Sequence, residues 1–64
     1  MDAEEAKEEI EHQKTLIAQH TKRLRSLEQR AARFEINVPA EVEVEIEEIK
    51  ERIEVCRGII RQIS

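Results

Sequence analysis

The sequence of 64 residues contains one cysteine, one glycine, one proline and a single aromatic residue. A lone cysteine forms no internal disulfide and is no zinc site by itself. The scarcity of glycine and proline argues against long loops, and no apolar run approaches the roughly 18 residues that a membrane span requires. Because no secretory signal pattern is present either, we expect a cytoplasmic protein that does not enter membranes.

Charged residues, in contrast, make up 41% of the chain, and the net charge is −4. This composition is typical of long surface helices and coiled coils. A chain of this length builds a core worth only roughly 3 to 5 kcal/mol, so we expect a partner to add stability. The negative charge argues against general attraction to nucleic acids or anionic lipids.

The first half of the chain repeats its apolar residues at alternating spacings of three and four. This is the heptad pattern of a helix that packs along one seam against another helix. The seam positions are Ala3, Ala6, Ile10, Gln13, Ile17, His20, Leu24, Leu27, Ala31 and Phe34. The two polar members, Gln13 and His20, are candidates for fixing register and partner choice, because wrong pairings leave them unsatisfied. The alternative is that both side chains reach solvent at the seam edge.

The segment Glu-Val-Glu-Val-Glu-Ile-Glu at 41–47 alternates like a half-buried strand, but the wider pattern predicts a helix. A second heptad seam continues to the end of the chain, which a strand does not explain. Its positions are Val42, Ile46, Ile49, Ile53, Cys56, Ile60 and Ile63. On this helix Val44 faces outward, and Pro39 suits the first helical position.

Together these patterns predict an all-α fold, an antiparallel two-helix hairpin of the coiled-coil type. We expect a single domain over 1–64, with helix 1 over about 2–34, a loop over 35–38 and helix 2 over about 39–63. Facing seam residues then have numbers that add up to 73, as in Leu27 with Ile46 and Gln13 with Ile60. Phe34, Ile36 and Val38 are expected to close the seam at the turn.

Charge favours the same antiparallel orientation. Residues 14–33 are mainly basic and residues 35–49 contain glutamates but no base, so the hairpin is expected to bring the two blocks together and to pair the basic one. At the other end, the acidic residues of 2–11 run toward Arg57 and Arg61. Each exposed pair contributes only about 0.2 to 1 kcal/mol, so the charges select orientation more than they stabilise it.

Residues that carry chemistry are few. His12 is expected to face outward. His20 lies one layer from Cys56 in the seam, but these two side chains are too few ligands for zinc. The glutamates are expected to face water, without the burial or the fixed partner that catalytic carboxylates require. We therefore expect no enzyme, no cofactor, no metal and no small-molecule substrate. The remaining hypothesis for these residues is a redox or metal switch through Cys56 and His20.

Several apolar residues lie outside the seam or at its open end and predict a partner. This candidate partner interface consists of Leu16, Val55, Ile59, Ile60 and Ile63. A second copy would complete a four-helix bundle, and another helical domain would serve equally well. Because Ala3 and Ala6 extend the first seam beyond the end of the second, we also expect helix 2 to continue in a longer parent protein.

Residues 27–53 also carry a resemblance. The alanine pair Ala31 and Ala32, the aromatic Phe34, the Val38-Pro39 step and the isoleucine spacing after Glu45 resemble short helical hairpins of bacterial multidomain signalling and conflict proteins. In that family such modules accompany STAND-type ATPases, TIR domains or caspase-like and CHAT proteases. Glu35 stands where we expect the family's glycine, and since glutamate adopts a positive φ at a cost, the left-handed residue of the turn stays open.

The resemblance implies an adaptor or oligomerisation module without catalytic residues. With the seam patterns, it leads to the hypothesis of a protein–protein interaction and self-association module of a bacterial signalling or immune effector. The alternative is a small dimeric regulator that binds nucleic acid through the basic face of helix 1. A lack of stacking aromatics and the neighbouring acidic strip argue against that alternative.

Overall fold

The computed structural model describes residues 2–64, which form two helices packed side by side as a hairpin. Helix α1 spans Ala3–Ala32 and helix α2 spans Ala40–Ile63. The all-α hairpin predicted from the seams is confirmed, and residues 41–47 are helical. The molecule measures 50 × 15 × 13 Å, so it is only one helix thick in one direction. Within the described part of the chain, neither helix has the length and apolar character needed to cross a membrane.

Helix α1 begins at a side-chain cap. The Oδ1 atom of Asp2 accepts a hydrogen bond from the backbone N–H of Glu5 at 2.8 Å, which satisfies one of the backbone donors that the first helical turn leaves unpaired. Glu4 and Glu5 also lie in the first turn, near the positive end of the helix dipole. At the other end, α1 stops at Ala32, two residues before the predicted Phe34.

The turn that follows contains a left-handed residue, Glu35, with φ 50°. It is the one residue other than glycine with a positive φ in the described range. The backbone N–H of Phe34 bonds to the carbonyl oxygen of Ala31 at 3.1 Å, and that of Asn37 bonds to the carbonyl of Phe34 at 3.3 Å. The position at which the resemblance places a glycine is therefore the left-handed one, although a glutamate occupies it.

Helix α2 begins one residue later than expected. Pro39, with φ −56° and ψ 138°, is the residue before the helix, and Ala40 is the first helical residue. The Pro39 carbonyl accepts hydrogen bonds from the backbone N–H groups of Val42 and Glu43 at 3.0 and 3.3 Å. Proline fits this position because its ring fixes a suitable φ and its missing N–H would have had no partner there.

The core is an apolar cluster in the part of the hairpin nearer the loop. Leu27, Ile49 and Ile53 are buried, and Ile17, Leu24 and Ile46 pack against them. The cluster contains both members of two predicted pairs, Leu27 with Ile46 and Leu24 with Ile49, which agrees with the predicted register. Val44 is 54% exposed on α2, as expected for a residue off the seam.

The loop does not close the seam as predicted. Val38 is half-buried, but Phe34 is 43% exposed and Ile36 is 87% exposed. The prediction is wrong for Ile36, because α1 ends at Ala32 and the heptad phase no longer determines where side chains point after that residue. Ile36 instead lies in the turn, and its side chain faces solvent.

Candidate interaction surface

The polar seam residue Gln13 is buried inside the hairpin. Its side chain is 6% exposed, and its Nε2 donates a hydrogen bond to Oε1 of Glu9, one turn earlier, at 2.8 Å. Its Oε1 is also buried but has no hydrogen-bond partner. Since a buried acceptor without a partner costs about 1 to 3 kcal/mol, Gln13 weakens the seam in which it lies. It does not reach solvent at the seam edge, which was the alternative to a role in register.

The second polar seam residue, His20, is half-buried, and no hydrogen bond to its side chain is found in residues 2–64. Cys56, in the next layer, is a free and buried thiol. Among the described residues, no group of three or more histidine, cysteine, aspartate or glutamate side chains could hold a metal ion. The arrangement of Cys56 thus resembles that of a small buried hydrophobic residue.

One long edge of the hairpin is marked by an ion pair between the helices. The guanidinium Nη2 of Arg23 lies 3.9 Å from Oε2 of Glu45, so these two positions face each other on the same side of the seam. Leu16 lies one heptad before Arg23, and Ile59 lies two heptads after Glu45, so both belong to this edge. Both side chains are half-buried, since a two-helix structure covers only their inner sides.

Val55 widens the apolar surface along this edge. It lies one turn before Ile59 on α2, on the side away from α1, and it is 58% exposed. We call Leu16, Val55 and Ile59 together the apolar edge. The other two predicted partner residues, Ile60 and Ile63, belong to the seam at its open end, and both are half-buried. The hairpin thus leaves each of the five predicted interface residues partly accessible.

Ion pairs are arranged differently from the sequence-based expectation. Arg23 with Glu45 is the single ion pair between the helices in residues 2–64. The other pairs lie within one helix, as in Lys14 with Glu11 at 3.9 Å and Arg57 with Glu54 at 2.9 Å. The expectation that the hairpin pairs the whole basic block is wrong, because these side chains project from the outer surface of α1 and do not reach α2.

Most of the charged side chains on α1 and its two capping residues that make no ion pair lie in two separate groups. Within the described residues, no ion pair is made by the basic side chains near the loop, which are Lys22, Arg25, Arg30 and Arg33. The same holds for the acidic side chains at the start of the chain, which are Asp2, Glu4, Glu5 and Glu8. All eight are exposed, so their charges are available to a partner.

The surface depressions are shallow and open, and one of them is lined by Thr21, Leu24, Lys50 and Ile53 between the helices. This groove contains no nucleophile paired with a base. Its lining does support the register, since Thr21 and Leu24 lie across from Ile53 and Lys50.

Comparisons with known proteins add no relative, because no protein-family model, no curated protein and no solved structure matches the chain.

Proposed function

We propose that the hairpin is a self-association and protein–protein interaction module, an adaptor or oligomerisation segment of a larger cytoplasmic signalling or immune effector of the bacterial conflict type. Two copies pair through the apolar edge, and the completed bundle brings attached domains together. The module itself performs no catalysis. The resemblance of residues 27–53 to adaptor hairpins supports this proposal, and the surface of the hairpin supports it independently.

The observation that carries the proposal is the amount of surface that the hairpin exposes. Its accessible surface is 5233 Å², about 1,000 Å² more than the roughly 4,250 Å² typical of a compact monomer of 7.5 kDa. A stable interface of standard size covers about 800 Å² on each partner. The radius of gyration, 15.0 Å, likewise exceeds the roughly 10.7 Å of a compact domain of this length.

Burial within the hairpin supports the same conclusion. No side chain is less than 2% exposed in the described chain, whereas independent domains bury their core side chains more completely. The apolar edge runs beside the seam, where a second hairpin would cover it and the half-buried seam isoleucines together. Docking of a second hairpin there would create a core enclosed by four helices instead of two.

The test is the association state of matched variants by sedimentation equilibrium. The wild-type chain should form a dimer or a higher oligomer, and the double variant Val55→Glu, Ile59→Glu should sediment as a monomer that stays helical by circular dichroism. The control is Val44→Glu, because Val44 has a similar exposure of 54% but lies off the apolar edge. A helical wild-type monomer at every concentration would contradict the proposal.

One observation favours the alternative of nucleic-acid binding, namely that Lys22, Arg25, Arg30 and Arg33 make no ion pair in the hairpin. Such basic side chains contact phosphates readily. The glutamates of α2 nearby weaken the positive potential, and no aromatic residue other than Phe34 is present to stack on bases. Salt-dependent binding of a labelled duplex, lost on Arg25→Glu, would support this alternative.

A further inference from the structure

Helix α1 carries a directional charge pattern along the edge that contains Leu16. Residues that are seven positions apart on this edge form a line beside the seam. Along the chain, the line changes from acidic through apolar to basic. Its members are Asp2, Glu9, Leu16, Arg23 and Arg30. The next line outward begins with Glu5 and ends with Arg33, so it has the same polarity. The outer edge of α1 is thus acidic at one end, apolar in its middle and basic at the other end.

These charges do not neutralise each other within one chain. Glu5 and Arg30 are separated by about 37 Å along the helix axis. This is far more than the Debye length of roughly 10 Å, beyond which salt largely screens the interaction between exposed charges. Neither side chain makes an ion pair in the described hairpin, and both are exposed. The opposite charges at the two ends of this edge therefore do not pair with each other within one chain, and both are accessible to a partner.

From this pattern we infer that the partner is a second copy of the chain, whose α1 lies antiparallel along the same edge, with the two loops at opposite ends of the dimer. This inference rests on the proposed self-association and adds the orientation. Two α1 edges that meet head to tail place Glu5 near Arg30 of the other copy and Asp2 near Arg33. A parallel arrangement would instead place acid beside acid and base beside base.

The apolar residues fit the same orientation. The centre of the antiparallel pairing falls near Ile17, so Leu16 of both copies lies close to the two-fold axis. Val55 and Ile59 flank Leu16 on the same side of the hairpin and are covered with it. The apolar edge then lies in the middle of the interface and the charges lie at its two ends, which is the usual distribution of apolar and polar contacts in a protein interface.

The opposite edge of α1 has the reverse polarity, which makes the pattern specific to one side. Its line begins with Lys7 and Lys14 and continues through Thr21 to Glu28. Two copies that paired an outer edge with this reversed edge would have to lie parallel. Such a pairing would place Thr21, the middle residue of the reversed edge, against the apolar edge of one copy and would leave the apolar edge of the other copy uncovered.

Charge reversal at the two ends of the edge tests the orientation. In one variant Glu5→Arg, with the neighbouring Glu8→Arg, reverses charges at the acidic end of α1, and in the other Arg30→Glu, with the nearby Lys22→Glu, reverses charges at its basic end. At low salt each variant alone should dimerise more weakly by roughly tenfold or more, whereas an equimolar mixture should restore the wild-type dissociation constant as a heterodimer. None of these four side chains makes an ion pair or side-chain hydrogen bond in the hairpin, so the fold should persist.

A matched control keeps the net-charge change but moves it off this edge. Glu28→Arg with Glu51→Arg changes two exposed glutamates that also make no ion pair, and this variant should dimerise like the wild type. If the wild type dimerises but both reversal variants do so equally well, the orientation is overturned while self-association stands. A wild-type monomer would overturn both.

A distance measurement gives an independent readout. Spin labels on Asn37→Cys, in a Cys56→Ala background, report the separation of the two loops by pulsed electron paramagnetic resonance. Loops at opposite ends place the labels roughly 50 Å apart, from the helical rise over the residues between the centre and the turn. A distance below about 20 Å, in the range of helices packed side by side, would mean that both loops lie at the same end and would overturn the inference.

Discussion

The two ends of the hairpin differ in how completely they are packed. In the loop half, the buried seam residues Leu27, Ile49 and Ile53 form one apolar cluster. In the open half, the buried seam residues are Gln13, with an unsatisfied oxygen, and Cys56. The isoleucines around them are only half-buried. The loop half is therefore the better packed within one chain, and the open half is the part in which the proposed partner would add the most burial.

The difference has a physical origin in the chain connectivity. Pairs near the turn are close in sequence, so bringing them together costs little loop-closure entropy. Pairs in the open half, such as Ile10 with Ile63, depend on the whole hairpin being in register. Under the proposed function, the well-packed residues near the turn would hold the hairpin together while the less completely packed half associates.

Truncation of one isoleucine in each half should show the largest contrast. Ile53→Ala removes a side chain that is 6% exposed and should destabilise the hairpin by about 3 kcal/mol. Ile60→Ala removes a half-buried side chain in the open half and should cost roughly 1 kcal/mol in the monomer. Thermal and urea unfolding followed by circular dichroism at 222 nm measure both values.

Protein concentration sharpens this comparison. If a second copy covers the open half, the loss of stability caused by Ile60→Ala should grow as protein concentration rises and the dimer becomes the main species. The loss caused by Ile53→Ala should change less. Equal costs for the two variants in the monomer would mean that the halves do not differ in packing.

Gln13 offers a smaller effect of the opposite sign. Gln13→Leu removes the buried unsatisfied oxygen and extends the apolar seam into the open half, so it should stabilise the hairpin by about 1 kcal/mol. The same change should relax register, because an amide no longer penalises wrong pairings. Unfolding experiments measure the stability, and native mass spectrometry of the associated species measures the loss of a single oligomeric state.

The control for Gln13 is Gln29→Leu. Gln29 lies on the same helix but is exposed and lies off the apolar edge, so its replacement should change the free energy of unfolding by less than about 0.5 kcal/mol. If Gln13→Leu destabilises the hairpin, then the hydrogen bond from Nε2 to Glu9 contributes more than the unsatisfied oxygen costs.

The main fold could be predicted from the sequence because heptad spacing constrains every residue of a long helix at once. The spacing of Leu24 and Leu27 matched that of Ile46 and Ile49, and the structure places these residues in one cluster. The predicted helix ends were less accurate, since α1 ends at Ala32 and not at Phe34. A periodic pattern contains no information about where the backbone leaves the helix, and the hydrogen bonds of the turn decide that.

The candidate surface was predicted in part. Val55 could be identified because it lies outside the seam on a helix with apolar residues on several sides. The unpaired charges were missed, since adjacency of a basic and an acidic block does not show whether side chains on outer faces reach each other. A helical wheel of α1 contains the missing signal, because the residues at seven-residue intervals from Asp2 to Arg30 change sign along one edge.

The turn provides the smallest effect and the clearest test of how the loop half is closed. Glu35 adopts φ 50°, a conformation that costs a residue with a β-carbon more than it costs glycine. Glu35→Gly removes that cost but increases the entropy of the unfolded chain, so the net gain should be roughly 0.5 kcal/mol in urea unfolding. Asn37→Gly is the matched control, because Asn37 lies in the same turn without a positive φ, and it should bring no gain. If Glu35→Gly is no more stable than Asn37→Gly, the left-handed conformation of residue 35 does not limit the stability of the turn.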